Sequence, residues 1–184
     1  MAARTLNTTP QEQGLINEIR EGDQRAFKIL FDRYRVPIYR YCEMMLGDRV
    51  VAEDVYQETF VAFYSACQRG EQFHSIHGYL LTVARNQCLN LLRNKKKTVP
   101  IEDAHELQYE DNHHLNDIKP ILYGALQKLP AQYREAFLLF EIEGYSYSEI
   151  AEYCDIGINT VRNRIFRAKK SLRNILGSDM RENI

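Results

Sequence analysis

Apolar side chains recur at three- and four-residue spacing along most of the chain, while alternating strand-like runs are scarce, which predicts an all-α protein. A first helical stretch is expected over residues 14–21 and a second over 23–46. The apolar positions of the second are Ala26, Phe27, Leu30, Phe31, Tyr34, Ile38, Tyr41, Cys42 and Met45, and Pro37 is expected to kink or break it. Gly47 suits a helix end and Asp48 the cap of the next helix. That third helix, over 50–68, has the stripe Val55, Thr59, Phe63 and Cys67, widened by Ala52, Tyr56 and Phe60. After a break at Arg69-Gly70 and a short loop, a fourth helix is expected over 78–94, with the stripe Leu80, Ala84, Cys88 and Leu91.

The periodicity then lapses. Residues 98–117 contain Pro100 and little pattern, and form a linker of up to ~70 Å if fully extended. Helical spacing resumes over 118–128, 131–143, 147–154 and 159–176, with Pro130 at a helix start and Gly144 at a helix stop. Ser146 and Glu149 have the spacing of a capping box. The expected organisation is therefore a flexible N-terminus (1–13), a four-helix domain (14–97), an acidic linker (98–117), a second small helical domain (118–176) and a C-terminal tail (177–184).

Hydrophobic residues make up 45% of the chain, enough for two small cores, and the formal net charge is only -1. The distribution of charge is more informative than its sum. Residues 85–97 carry Arg85, Arg93, Lys95, Lys96 and Lys97 with no acid, whereas 98–117 carry Glu102, Asp103, Glu106, Glu110, Asp111 and Asp117 with no Lys or Arg. Residues 156–184 are again mainly basic. Because salt screens charges more than about 10 Å apart, local basic patches decide affinity for a polyanion. Cys42, Cys67, Cys88 and Cys154 lack metal-ligand spacing and sit among apolar neighbours, as small core residues do in a reducing compartment. No apolar run approaches about 18 residues, and the polar start lacks a signal-peptide core, so a cytoplasmic protein that is not membrane-embedded is expected.

Residues 147–172 have the form of a helix-turn-helix. The last helix buries Val161, Ile165, Ala168 and Leu172 and turns Asn159, Asn163, Phe166 and Lys170 the other way, flanked by Arg162 and Arg167. The early positions of such a helix point deepest into a major groove. Asn159, Arg162 and Asn163 are therefore candidates for base edges, and Arg167, Lys169 and Lys170 for phosphates. An ordinary amphipathic helix with a basic face is the plainer alternative.

These residues resemble region four of the extracytoplasmic-function (ECF) sigma factors. The resemblance rests on Leu129-Pro130, Tyr133-Arg134-Glu135-Ala136-Phe137, Gly144-Tyr145-Ser146-Tyr147-Ser148-Glu149-Ile150-Ala151-Glu152 and Thr160-Val161-Arg162-Asn163-Arg164-Ile165-Phe166-Arg167-Ala168-Lys169-Lys170-Ser171-Leu172. Asp155 stands where the family often has Gly, and Gly157 where it often has Ser. The first half resembles sigma region two, in Gly22-Asp23, Ala26-Phe27, Leu30-Phe31 and Tyr34 and most specifically in Ala52-Glu53-Asp54-Val55-Tyr56-Gln57-Glu58-Thr59-Phe60. The resemblance implies that Glu53, Asp54, Gln57 and Glu58 dock on a coiled coil of the polymerase β′ subunit, with the β subunit a further contact of the core enzyme. An acidic and amide face off the core stripe suits a basic partner. A solvated acidic helix start would look the same.

Residues 79–93 resemble the helix that handles the promoter's start-proximal (−10) element, which implies roles for Tyr79, Thr82, Arg85, Asn86, Asn90 and Arg93. In the family the preceding loop takes up an unstacked base. Here Phe73 and His74 could stack and Gln72 could hydrogen-bond, although Phe73 could equally plug the core. The family often has Trp at Tyr79 and Asp at Asn90, and this chain has no Trp. On the upstream element the implied residues are Asn159, Thr160, Arg162, Asn163, Phe166, Arg167 and Lys170. The function implied is that of an RNA polymerase sigma factor whose partners are core polymerase, promoter DNA and, as often in the family, an anti-sigma factor.

A dimeric helix-turn-helix repressor would account for residues 118–176 alone. A metal-dependent enzyme would have to use His74-x-x-His77 or His113-His114, neither with a convincing third ligand. No phosphate loop or nucleophile elbow appears, and no cofactor, metal or small-molecule substrate is expected.

Overall fold

The computed structural model of the chain describes residues 7–98 and 118–182, so most of the acidic segment expected at 98–117, with His113-His114, lies outside the described residues. Among the described residues the secondary structure is entirely helical, arranged in two compact units, Met1–Arg93 and Asn94–Ile184.

The first unit contains α1 (Pro10–Arg20), α2 (Gln24–Leu46), α3 (Arg49–Gln68) and α4 (Ile76–Thr98), the last running on past the unit's edge. Helix α1 begins four residues before the expected position because Thr9 caps it, Pro10 occupies its first turn and Glu12 completes a capping box. Helix α2 passes through Pro37 without a break. The carbonyl that Pro37 leaves without a partner is that of Arg33, an exposed residue, so water can satisfy it. Asp48 accepts bonds from Val50 and Val51 N–H, and Gly47 ends α2 in the left-handed conformation, φ 70°. The core is built from Ile16, Ile19, Leu30, Ile38, Tyr41, Met45, Phe63, Ile76, Leu80 and Leu81, all buried. On α4 burial ends at Cys88, and Leu91, expected in the core, is exposed because the helix has outrun the others there.

Glu12 is a buried carboxylate in this unit. It accepts from Arg33 Nη1 at 2.9 Å, from the Tyr34 hydroxyl, and from Thr9 N–H and Oγ1. Burial by itself would raise its pKa, but the bonds from Thr9, Tyr34 and Arg33 outweigh burial and hold the carboxyl below its ordinary range. Burial, together with the same contact, pushes the Tyr34 phenol up. This brace contributes stability at neutral pH and loses it as pH falls through the lowered pKa. Cys42, Cys67 and Cys88 are buried and Cys154 half-buried, all as free thiols. Burial pushes the Cys67 thiol up to about 11, which makes it a packing residue rather than a nucleophile.

The second unit contains α5 (Ile118–Gln127), α6 (Ala131–Phe137), α7 (Tyr147–Cys154) and α8 (Ile158–Glu182). The spacing predicts a helix over 131–143. Instead α6 passes into a π-helical segment, Leu138–Ile142, which closes at Gly144 with φ 71°. Helix α8 packs on α5, α6 and α7 around Leu126, Leu129, Leu138, Leu139, Ile150, Val161, Ile165, Ala168 and Leu172.

Candidate nucleic-acid interface

The helix-turn-helix is fixed by short-range bonds. Glu149 N–H donates to Ser146 Oγ at 3.3 Å and Ser146 N–H to Glu149 Oε2 at 2.7 Å, the reciprocal pair that starts α7. Asp155 ends α7 at φ 52°, ψ 53°, a left-handed conformation that Asp tolerates, and Ile156 N–H returns to the Ala151 carbonyl at 3.0 Å. The Gly157 carbonyl then accepts from Thr160 N–H at 2.9 Å and opens α8. Val161, Ile165, Ala168 and Leu172 face inward, while Asn159, Thr160, Arg162, Asn163, Phe166, Arg167 and Lys170 are all exposed on one helix.

Several of these side chains are held by neighbours that the sequence pattern does not reveal. The Arg162 guanidinium lies 5.8 Å from the centre of the Tyr147 ring, which is stacked on Phe140 at 4.7 Å. Lys169 sits over the other ring of that pair, 5.1 Å from Phe140, and pairs with Glu141 at 2.6 Å. Lys169, expected near phosphates, is thus engaged within its own unit. Arg167 Nη1 donates to the Tyr133 hydroxyl at 3.3 Å. Gln132 and Tyr133 of α6 join Asn159, Thr160, Asn163 and Arg164 around an open recess of about 400 Å³ at the start of α8. Phe140 and Glu141, which make these contacts, both belong to the π-helical segment.

In the first unit, Glu53, Asp54, Gln57 and Glu58 are exposed near the start of α3, with Gln57 Nε2 donating to Glu53 Oε1 at 3.1 Å. Ala52, Val55, Tyr56, Thr59, Phe60 and Phe63 are buried on the opposite side. The acidic face is flanked by recesses that sequence patterning did not disclose. One, of about 570 Å³, is mostly apolar and is lined by Phe27, Phe31, Phe60, Val61 and Tyr64 together with Gln24 and Gln57. The other, of about 260 Å³, places Arg35, Val36 and Tyr39 beside Glu53 and Tyr56. Phe27 and Phe31 had the spacing of core residues; both are only part-buried and line this groove.

The loop between α3 and α4 alternates in direction: Gln72 and His74 are exposed, and Phe73 between them is buried. Phe73 packs 5.2 Å from Phe63 and 4.9 Å from Tyr79, ring centre to ring centre. This packing is that of a core plug, one of the two roles its position allows. On α4, Asn86, Asn90 and Arg93 are exposed, with Arg93 Nη2 donating to Asn90 Oδ1 at 2.8 Å. Tyr79, Thr82 and Arg85 are half-buried. The Thr82 hydroxyl is turned back onto the Gly78 carbonyl at 2.7 Å, and Arg85 Nη1 donates to Asn86 Oδ1 at 3.3 Å. His77 lies against the Tyr34 ring, 6.2 Å between centres, and among the described residues no group of three or more His, Cys, Asp or Glu is placed to hold a metal ion. Nor is any helix among them long and apolar enough to cross a membrane.

Residues 30–98 match the family model for sigma-70 region 2, and residues 120–172 that for sigma-70, region 4. The RNA polymerase sigma-H factor of Pseudomonas aeruginosa is 30% identical over 190 aligned positions, covering 95% of this chain and 98% of its own. The ECF RNA polymerase sigma-E factor of Haemophilus influenzae is 30% identical over 180 positions, covering 89% and 94%. Among solved structures, the sigma factor RpoE of Bartonella quintana in complex with the anti-sigma factor NepR aligns with a TM-score of 0.62 at 26% identity, over 83% of this chain and 98% of that one.

Proposed function

The chain belongs to the ECF sigma factors of the sigma-70 family and so directs RNA polymerase in promoter recognition and transcription initiation, and we propose that α8 reads the upstream promoter element. The observation that supports this assignment is the one-sided helix α8: its apolar stripe is buried to the last residue named above, and every candidate contact residue is exposed on the other side. Asn159, Thr160, Arg162 and Asn163 lie in the first turns, where base edges are reached, and Arg167 and Lys170 lie nearer the phosphates. Phe166, 67% exposed, is suited to a thymine methyl. The start-proximal element is assigned to the loop with Gln72 and His74 and to Tyr79, Thr82, Arg85, Asn86, Asn90 and Arg93, with Phe73 supporting them from below. Core polymerase is assigned to Glu53, Asp54, Gln57 and Glu58, whose negative potential would steer a basic coiled coil of β′ onto the groove beside them. The β subunit is a further proposed contact. An anti-sigma partner is proposed because the similar RpoE was solved in complex with one. A cytoplasmic location is proposed along with these partners. A dimeric repressor is not supported: it leaves the sigma-70 region 2 match over residues 30–98 unexplained.

Arg162→Ala and Asn163→Ala test the assignment. Each is expected to weaken recognition of the upstream element by about 1–3 kcal/mol and to relax the base preference at one position. Lys170→Ala should instead weaken binding to all sequences alike and reduce the salt slope by about 1. Selection of promoter fragments by polymerase reconstituted with each variant measures both effects. Unchanged selection by Arg162→Ala and Asn163→Ala would place the reading face elsewhere.

A further inference from the structure

Helix α1 and the residue before its cap lie along the loop that joins α3 to α4, and they hold its backbone at both ends. At one end Arg20 Nη2 donates to the Glu71 carbonyl at 2.8 Å and Nε to the Cys67 carbonyl at 3.3 Å, while Gln68 Nε2 donates to the Ile19 carbonyl. At the other end Thr8 N–H donates to the His74 carbonyl at 2.7 Å and Thr8 Oγ1 to the Phe73 carbonyl at 2.8 Å. Helix α1 is itself fixed in place by the Thr9–Glu12 capping box and by the buried Glu12 contact with Arg33 and Tyr34 of α2. Beneath the loop, Phe73 is anchored by Phe63 and Tyr79. The loop is therefore gripped from above through its carbonyls and from below through one ring. On either side of Phe73 the side chains of Gln72 and His74 are exposed, while Arg69, also exposed, is paired with Glu71 at 2.6 Å.

An unrestrained seven-residue loop, 69–75, would have to lose backbone freedom when it grips a strand, at a cost of about 1 kcal/mol or more per residue fixed. The contacts above remove much of that freedom beforehand. We propose that α1, through Thr8 and Arg20, is a positioning element for strand capture: it preorganises the loop so that Gln72 and His74 meet an unstacked base. The proposal rests on the assignment of that loop to the start-proximal element, and it gives a role to residues 8–20, part of which the sequence pattern leaves as a flexible N-terminus.

The test uses full-length protein reconstituted with bacterial core polymerase on a promoter fragment that yields a protein-dependent run-off transcript. Open complex is read as permanganate reactivity of unpaired thymines on the duplex, and run-off transcript yield is read on the duplex and on the same fragment premelted. Thr8→Val combined with Arg20→Met should lower the open fraction on the duplex roughly five- to thirtyfold, from the loss of bonds worth about tenfold together. Core binding should stay unchanged, premelting should recover most of the loss, and Thr8→Ser, which keeps the hydroxyl, should behave as wild type. Gln72→Ala and His74→Ala test the underlying assignment in parallel. If these lower opening and the double variant does not, the positioning role of α1 is overturned while the loop assignment stands. If the loop variants also open normally, the assignment fails and the positioning role falls with it. Should the double variant lose its helical circular dichroism, Thr8→Val against Thr8→Ser decides alone: equal opening by the two overturns the proposal.

Discussion

Phe63→Ala is expected to destabilise the first helical unit by about 3–5 kcal/mol, the range for emptying a fully buried aromatic site. Phe63 is 0% exposed on the inner side of α3 and contacts both Phe73 and Tyr79, with ring centres 5.2 and 6.0 Å away. Those rings belong to the loop and to α4, so little remains to collapse into the space an alanine would leave. Part of the cost is lost transfer energy and part is the unfilled cavity. The change should also reach function, because Phe73 is the floor of the loop that presents Gln72 and His74. Promoter opening should fall further than the stability loss alone accounts for at temperatures where the variant is still folded. Urea unfolding followed by far-ultraviolet circular dichroism, together with permanganate footprinting at low temperature, measures both. A loss under about 1 kcal/mol would mean that the aromatic cluster is not the support described.

Arg134→Met is expected to destabilise the second unit by about 3 kcal/mol, through a different mechanism. Arg134 is 4% exposed, and its Nη2 donates to the carbonyls of Gln127 and Leu129 at 3.0 and 3.1 Å while Nη1 meets the Gln127 side chain. Helix α5 ends at Gln127, so the guanidinium satisfies backbone acceptors that a helix C-terminus leaves open. Methionine preserves much of the packing stem and removes the donors. Each buried carbonyl left without its partner costs about 1–3 kcal/mol. Lysine should recover only part of the loss, because a single ammonium cannot reproduce a planar fork. In a unit this small, each kcal/mol lowers the melting temperature by about 4–8 °C. Thermal unfolding of the full chain gives the comparison, and a shift of Arg134→Met within a degree or two of wild type would contradict this role.

The features legible in the sequence are those set by neighbours a few residues apart. The stripes of α3 and α8, the Asp48 cap and the Ser146–Glu149 capping box all follow from local spacing, and all are present. The start of α1 was also local, since Thr9, Pro10 and Glu12 form a recognisable signal; the weak apolar content of its first turn concealed it. What could not be read were contacts between distant positions. Thr8 and Phe73 are 65 residues apart, Arg20 and Cys67 are 47 apart, and no periodicity links them. Phe73 is compatible in sequence with either stacking or plugging the core, and its packing on Phe63 and Tyr79 is visible only in the fold. The π-helical segment likewise has no simple sequence signature, yet it carries Phe140 and Glu141, which meet Tyr147 and Lys169 beside Arg162. The candidate faces were thus visible as exposed polar stripes, whereas the side chains that hold them in position were not.

Run-off transcription on fragmented genomic DNA decides whether this chain gives core polymerase its promoter specificity. Purified bacterial core polymerase is used with and without the protein, and another sigma factor serves as the control for core activity. Discrete transcripts are expected only when the protein is present, with start sites that share an upstream and a start-proximal element. Active core that yields no protein-dependent transcript, together with tight duplex binding by the protein alone, would contradict that role.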